Sequence, residues 1–149
     1  MDVFERSLQL HEALRGKISV ENKMDIRTTE DLSLAYSPGV AAPCEAIHND
    51  PAKVYDYTIK GNTVAIVSDG SAVLGLGNIG PLAAIPVMEG KGMLFKRFAG
   101  INGFPICIST QKPDELLQVI RNIAPVFGGI NLEDISSPRC LEGEESLQH

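Results

Sequence analysis

Phe4, Leu8, Leu10, Ala13 and Leu14 fall on overlapping apolar faces, which predicts an amphipathic helix over residues 3 to 15 with Gly16 as its stop. His11 lies near the apolar face and reads as a helix-surface histidine. Thr28 or Thr29 can cap a second short helix, with Glu30 and Asp31 in its first turn, where negative charge favours the helix dipole. Pro38 disfavours helical geometry at Ser37, so this helix ends near Tyr36 and delivers the tyrosine into a Pro-Gly turn. Pro43 opens another short helix. Asp50-Pro51 opens the next, running to about Tyr57, and Gly61-Asn62 turns the chain into the first strand.

That strand, Val64 to Val67, is apolar at every position, as expected of a central strand covered on both faces. Asp69-Gly70 is placed to close a tight hairpin onto Ser71 to Leu74. Helical pieces are expected over Leu82 to Met88 and Gly92 to Phe98, interrupted at Gly90. Phe104 to Ile108 reads as a second strand and Ile130 to Leu132 as a third. Between them, Leu116, Leu117, Val119, Ile120 and Ile123 mark an amphipathic helix over Pro113 to Ala124. The class is therefore α/β: a small, mostly parallel sheet flanked by helices and preceded by an N-terminal helical segment. Residues 141–149 are polar and offer no face to bury, so they read as a frayed tail or a point of truncation.

At 149 residues the chain fits one domain of ordinary size, and 44% hydrophobic against 21% charged residues is a globular balance. Nineteen acidic and thirteen basic side chains give a net charge of −6 without any basic run, which argues against a nucleic-acid partner. No apolar run is long enough to span a membrane and the first residues are not a leader, so the expected setting is cytoplasmic. Cys44, Cys107 and Cys140 are widely spaced and lack any C-x-x-C pairing. They read as reduced thiols, with Cys107 in the core.

The chemistry concentrates in a few places. Gly75, Gly77 and Gly80 follow the first strand and precede a helix that Pro81 can start. Glycines there let an anion approach the backbone and the unpaired N–H groups of the helix start. The spacing matches the dinucleotide fingerprint, but no acid follows the second strand to hold a ribose, where Ser109 and Thr110 stand instead. The loop therefore reads as gripping a carboxylate or shaping a cleft, against the plainer alternative of a tight turn with close helix-to-sheet packing. Glu133 and Asp134 are adjacent carboxylates just beyond a strand, suited as hard oxygen donors to Mg²⁺ or Mn²⁺, or else a solvated junction. Lys91 stands between Gly90 and Gly92 before Met93-Leu94-Phe95. Apolar packing would lower its pKa and make it a base, whereas a snorkelling lysine is the ordinary alternative. Tyr36 is a proton donor at a turn or a half-buried aromatic.

Four ordered stretches carry a resemblance: Ala35-Tyr36-Ser37-Pro38-Gly39-Val40, Ser68-Asp69-Gly70-Ser71 with Leu74 to Gly80, Ile85 to Lys91, and Gly128 to Ile135. Together they resemble the N-terminal domain of malic enzymes of the small bacterial type, over about residues 8 to 140. The resemblance implies oxidative decarboxylation of malate to pyruvate and carbon dioxide with NAD or NADP and a divalent metal. It implies Lys91 as the base for the C2 hydroxyl and Tyr36 as the acid that protonates the enolate. Glu133 and Asp134 become two of three protein metal ligands, and Gly75, Gly77 and Asn78 become substrate contacts. It also implies a homodimer.

The sequence departs from the family at two points. Ala72 stands where some members carry an arginine, so that contact is not carried over. The chain also stops before the third metal carboxylate and the nicotinamide-binding domain, which makes residues 1–140 an incomplete catalytic unit expected to be inactive alone. Two rival readings share the fold: a non-catalytic dimerisation or regulatory module, and a metal-dependent oxaloacetate decarboxylase.

Overall fold

The structure, a computed structural model, describes residues 1–136. Cys140 and the polar tail lie outside the described residues. Helix α1 (Val3–Leu14) begins at a capping box in which the Asp2 side chain accepts from the Glu5 N–H and Glu5 reaches back to the Asp2 N–H. It ends at Arg15, whose φ of 55° precedes Gly16 at 105°, so the left-handed turn starts one residue before the expected glycine. Helix α2 (Thr29–Ala35) is capped by Thr28, again reciprocally with Asp31. Backbone and side-chain hydrogen bonds from Arg27 and Thr28 hold the Asp31 carboxyl below the usual aspartate range. Helix α3 (Ala41–Asn49) starts two residues before Pro43, and a 3-10 turn at Pro51–Lys53 leads into α4 (Val54–Tyr57).

Three strands follow, separated by two long helices: β1 (Thr63–Ser68), α5 (Gly80–Ala99), β2 (Asn102–Cys107), α6 (Pro113–Ile123) and β3 (Gly129–Leu132). The strand order is β2-β1-β3 and both pairings are parallel, with Ile66 opposite Pro105 on one side and Asn131 on the other. The chain steps from β1 to β2 in one direction and back across β1 to β3 in the other. Right-handed crossovers then place the two helices on opposite faces. Alternation along β1 agrees. Ala65 and Val67 pack with Leu116 and Ile120 of α6, plus Ile108 and Ile135, while Ile66 points to the α5 face. Each buried valine, leucine or isoleucine among these contributes about 2 kcal/mol. Pro105 sits on an edge strand, where its missing N–H costs no ladder bond. Cys107 is half-buried on that edge and not in the core, and burial pushes its thiol up.

Two expectations are corrected here. The segment from Leu82 to Phe98 is not interrupted at Gly90: α5 runs unbroken for 20 residues. Gly92 serves a tertiary contact instead. A Cβ on Gly92 would lie 2.8 Å from the Gly103 carbonyl oxygen, so helix and strand meet at a distance only glycine allows. At Gly90 the nearest atom to a Cβ would be Lys17 Nζ at 3.9 Å, an ordinary contact. Gly92→Ala is therefore expected to destabilise the chain by about 1–2 kcal/mol, overpacking outweighing the gain in helix propensity. Gly90→Ala should stabilise it by about 0.5–1 kcal/mol in urea unfolding.

The second correction is the hairpin after Asp69-Gly70. No strand forms over Ser71 to Leu74, and a single bridge joins Val73 to Gly77. Gly70, at φ 69°, is pressed against the start of α5, where its carbonyl accepts from the Ile79 and Gly80 amides. Ser71 is committed elsewhere: its amide donates to Asp69 Oδ1 and its hydroxyl accepts from the Ser136 amide.

Candidate active site

The carboxyl ends of β1 and β3 lie side by side, where the connections leave the sheet in different directions, the usual position of a ligand crevice in such folds. Main-chain bonds lock the two loops together: the Glu133 amide donates to Val67 O at 2.9 Å and the Ala72 amide to Asp134 O at 3.0 Å. Asp134 takes a left-handed φ of 54°, a conformation that aspartate tolerates better than most residues. The turn places both acidic side chains beside α5, from which Lys91 reaches over. Its Nζ is 3.0 Å from Glu133 Oε1, and the Phe95 ring centroid lies 6.0 Å from the same Nζ. Lys91 is therefore a partly exposed, ion-paired lysine.

Lys91, Glu133 and Asp134 line one open cleft of about 550 Å³ together with Met88, His11 and Lys17. The last two were not legible as site residues. The Lys17 amide donates to Glu89 Oε1 at 2.8 Å, and its Nζ lies 2.7 Å from both Pro86 O and His11 Nε2. No spacing announces this. The contact joins the end of α1 to α5 across some seventy residues.

Burial pushes the Asp134 carboxyl up, Glu133 beside it pushes further, and Lys91 offsets part of the effect. Two adjacent carboxylates, of which Lys91 ion-pairs only Glu133, are a donor set that fits a hard divalent cation. Among the described residues no group of three or more His, Cys, Asp or Glu side chains is placed to hold one, so the pair is an open, partial site. The raised folded-state pKa has a consequence for stability. The penalty on folding is full above that pKa and disappears as pH falls through it towards the unfolded value. Asp134→Asn, which also tolerates φ 54°, should thus raise the thermal midpoint of the metal-free chain at pH 7. The gain should shrink in acid, as circular dichroism melts would show.

The other sequence-predicted residues lie elsewhere. Gly75, Gly77 and Asn78 are exposed in the loop that opens α5 and do not line the cleft, although Ala72 ties that loop to Asp134. The helix start is also less available to an anion than the glycines imply, because the Ile79 and Gly80 amides are both spent on Gly70 O and Pro81 has none. Asn78 instead exchanges hydrogen bonds with Gln111, which also donates to Asp69 O. Two buried atoms have no partner among the described residues, Asp69 Oδ2 and Asn131 Oδ1. Tyr36 closes α2 with 67% of its surface exposed and is not among the cleft residues. No helix among the described residues is long and apolar enough to cross a membrane.

The fold and cleft define a doubly wound α/β domain that presents a lysine and paired carboxylates at its strand ends. A family model, the malic enzyme N-terminal domain, matches residues 15–148, and the chain belongs to the malic enzyme family as that domain. It is 55% identical over 148 residues to the bifunctional malic/malolactic enzyme of Bacillus subtilis, covering 99% of this chain and 36% of that enzyme. To the NADP-dependent malic enzyme of Escherichia coli it is 54% identical over 143 residues, covering 95% and 19%. The crystal structure of malic enzyme from Pyrococcus horikoshii superposes with a TM-score of 0.96 at 54% identity, covering 99% of this chain and 35% of that one. The chain thus spans about a third or less of the length of these relatives.

Proposed function

We propose that this chain is the substrate-binding part of a malic enzyme, which converts malate and NAD(P)⁺ to pyruvate, carbon dioxide and NAD(P)H. The observation that carries the reading is Lys91 Nζ standing 3.0 Å from Glu133 in a cleft that Asp134 shares. In this reading Lys91 Nζ accepts the C2 hydroxyl proton as hydride leaves C2 for the nicotinamide, which the remainder of the enzyme holds. The phenol of Tyr36 then donates its proton to C3 of the enolate left when carbon dioxide departs. Glu133 and Asp134 would hold Mg²⁺ or Mn²⁺, whose chemistry is to polarise the C2 oxygen of the substrate. As a ligand to such an ion, Glu133 would no longer hold Lys91 in an ion pair, and the Lys91 Nζ would then be available to the hydroxyl.

Gly75, Gly77 and Asn78 belong to this reading as a loop that closes over the substrate from the strand ends. Nucleotide choice belongs to the part of the enzyme outside this chain, since the domain resembles NAD- and NADP-dependent relatives alike, at 57% and 54% identity. A cytoplasmic setting fits the free thiols of Cys44 and Cys107.

An enzyme of full family length carrying this domain should show malate-dependent NAD(P)H formation with Mn²⁺, and the isolated chain none. Pyruvate release from oxaloacetate without nucleotide, in the absence of malate oxidation, would favour a decarboxylase instead. No turnover of either substrate would leave a non-catalytic module. Mn²⁺ should also raise the thermal midpoint of the isolated chain and leave that of Asp134→Asn unmoved.

A further inference from the structure

We propose that Lys17 is a substrate-binding residue that takes one carboxylate of the dicarboxylic acid, an assignment that rests on the malate reading above. The cleft needs such a group. Between Ser68 and Gly80 the glycine loop carries no lysine or arginine, and of the two lysines lining the cleft, Lys91 is matched by Glu133. Lys17 has no carboxylate partner for its Nζ among the described residues; both of its acceptors are neutral.

The surroundings of Lys17 fix the direction of its hydrogen bonds. His11 Nδ1 lies 2.8 Å from the Ser7 carbonyl, which only accepts, so the imidazole proton sits on Nδ1 and Nε2 is left as an acceptor. Lys17 Nζ donates to that Nε2 and to Pro86 O, each at 2.7 Å. Two of the three ammonium hydrogens are spent and the third remains for a ligand in the cleft. The main chain is anchored as well, by Glu89 at the Lys17 amide. The ammonium stands beside α5 at Gly90, one residue from Lys91. An ammonium held in place, carrying an uncompensated charge next to the proposed base and metal carboxylates, is preorganised for an anion.

The test compares malate with lactate, a 2-hydroxy acid that lacks the second carboxylate, in the enzyme of full family length. Lys17→Met should raise KM for malate about 10- to 100-fold, the range for a lost charged hydrogen bond, with kcat within about threefold. The weak inhibition constant of lactate and the KM of the nucleotide should not move, and Lys17→Arg should recover part of the loss. In the unsubstituted enzyme, malate but not lactate should protect Lys17 from reductive methylation, read by mass spectrometry whether or not the methionine variant folds. An unchanged malate KM, equal weakening of malate and lactate, or methylation of Lys17 indifferent to malate would overturn the assignment. An unsubstituted enzyme that neither oxidises nor binds malate would overturn the malate reading beneath it, a different result from an active enzyme indifferent to Lys17.

Discussion

Replacing Lys91 by alanine in an enzyme of full family length is expected to lower kcat for malate oxidation by about 10³-fold while KM changes only a few-fold, the signature of a group used in the transition state. The expectation follows from placement. Lys91 reaches the cleft from the middle of α5, a helix fixed on both sides of it: Glu89 binds the Lys17 amide, and Gly92 meets Gly103 at backbone contact. Its Nζ is aimed at Glu133, the neighbour of the other proposed metal carboxylate. A base and a mere cation predict different rescues. Arginine keeps the charge but does not give up its proton at ordinary pH, so Lys91→Arg should remain as impaired as the alanine variant. A small primary amine added to the alanine variant should restore part of the rate. Activity regained by arginine and unmoved by the amine would assign Lys91 an electrostatic role alone. Circular dichroism of the isolated chain should show both variants folded, because the ion pair is partly exposed and contributes little to stability.

Several elements of this arrangement are legible in the sequence alone, and the reasons differ. The run from Val64 to Val67 announced a doubly covered strand because burial on both faces demands apolar residues at every position, and β1 is the central strand. The periodicity of α6 was legible for the same kind of reason, a helix with one face in the core. Glycine misled wherever its purpose was tertiary. Gly90 reads as a helix break although α5 runs through it, and Gly103 lying against Gly92 explains the glycine at position 92 alone. Asp69-Gly70 looked like a hairpin because the dipeptide is a turn signal. Its turn instead packs on the start of α5, a contact that local sequence does not encode. Lys91, Glu133 and Asp134 were recognised as candidates by residue type and motif, and the fold brings them to one cleft. Lys17 carried no signal, since its role arises only when the end of α1 lies across α5.

Tyr36 calls for a different experiment, because it is exposed at the end of α2 and does not line the cleft of its own chain. It is expected to act in the partner's site of a homodimer. The N-terminal region supports this. Helix α1 buries none of its residues, Phe4 and Leu8 are 77% and 74% exposed, and Leu34 is exposed two residues before Tyr36. Apolar surface of this kind marks an interface, and a two-fold axis is the commonest way to cover it. Sedimentation of the isolated chain should therefore give a dimer. Full-length enzyme carrying Tyr36→Phe and enzyme carrying Lys91→Ala should each be nearly inactive. After mixing, unfolding and re-association they should regain about a quarter of the unsubstituted rate, since about half the dimers are mixed and each mixed dimer rebuilds one site of two. Mass spectrometry of differently tagged subunits would establish the exchange. No recovery despite exchange would mean that Tyr36 and Lys91 serve the same chain, and would require α2 to swing its end into the cleft. A monomer in sedimentation would remove the interface itself.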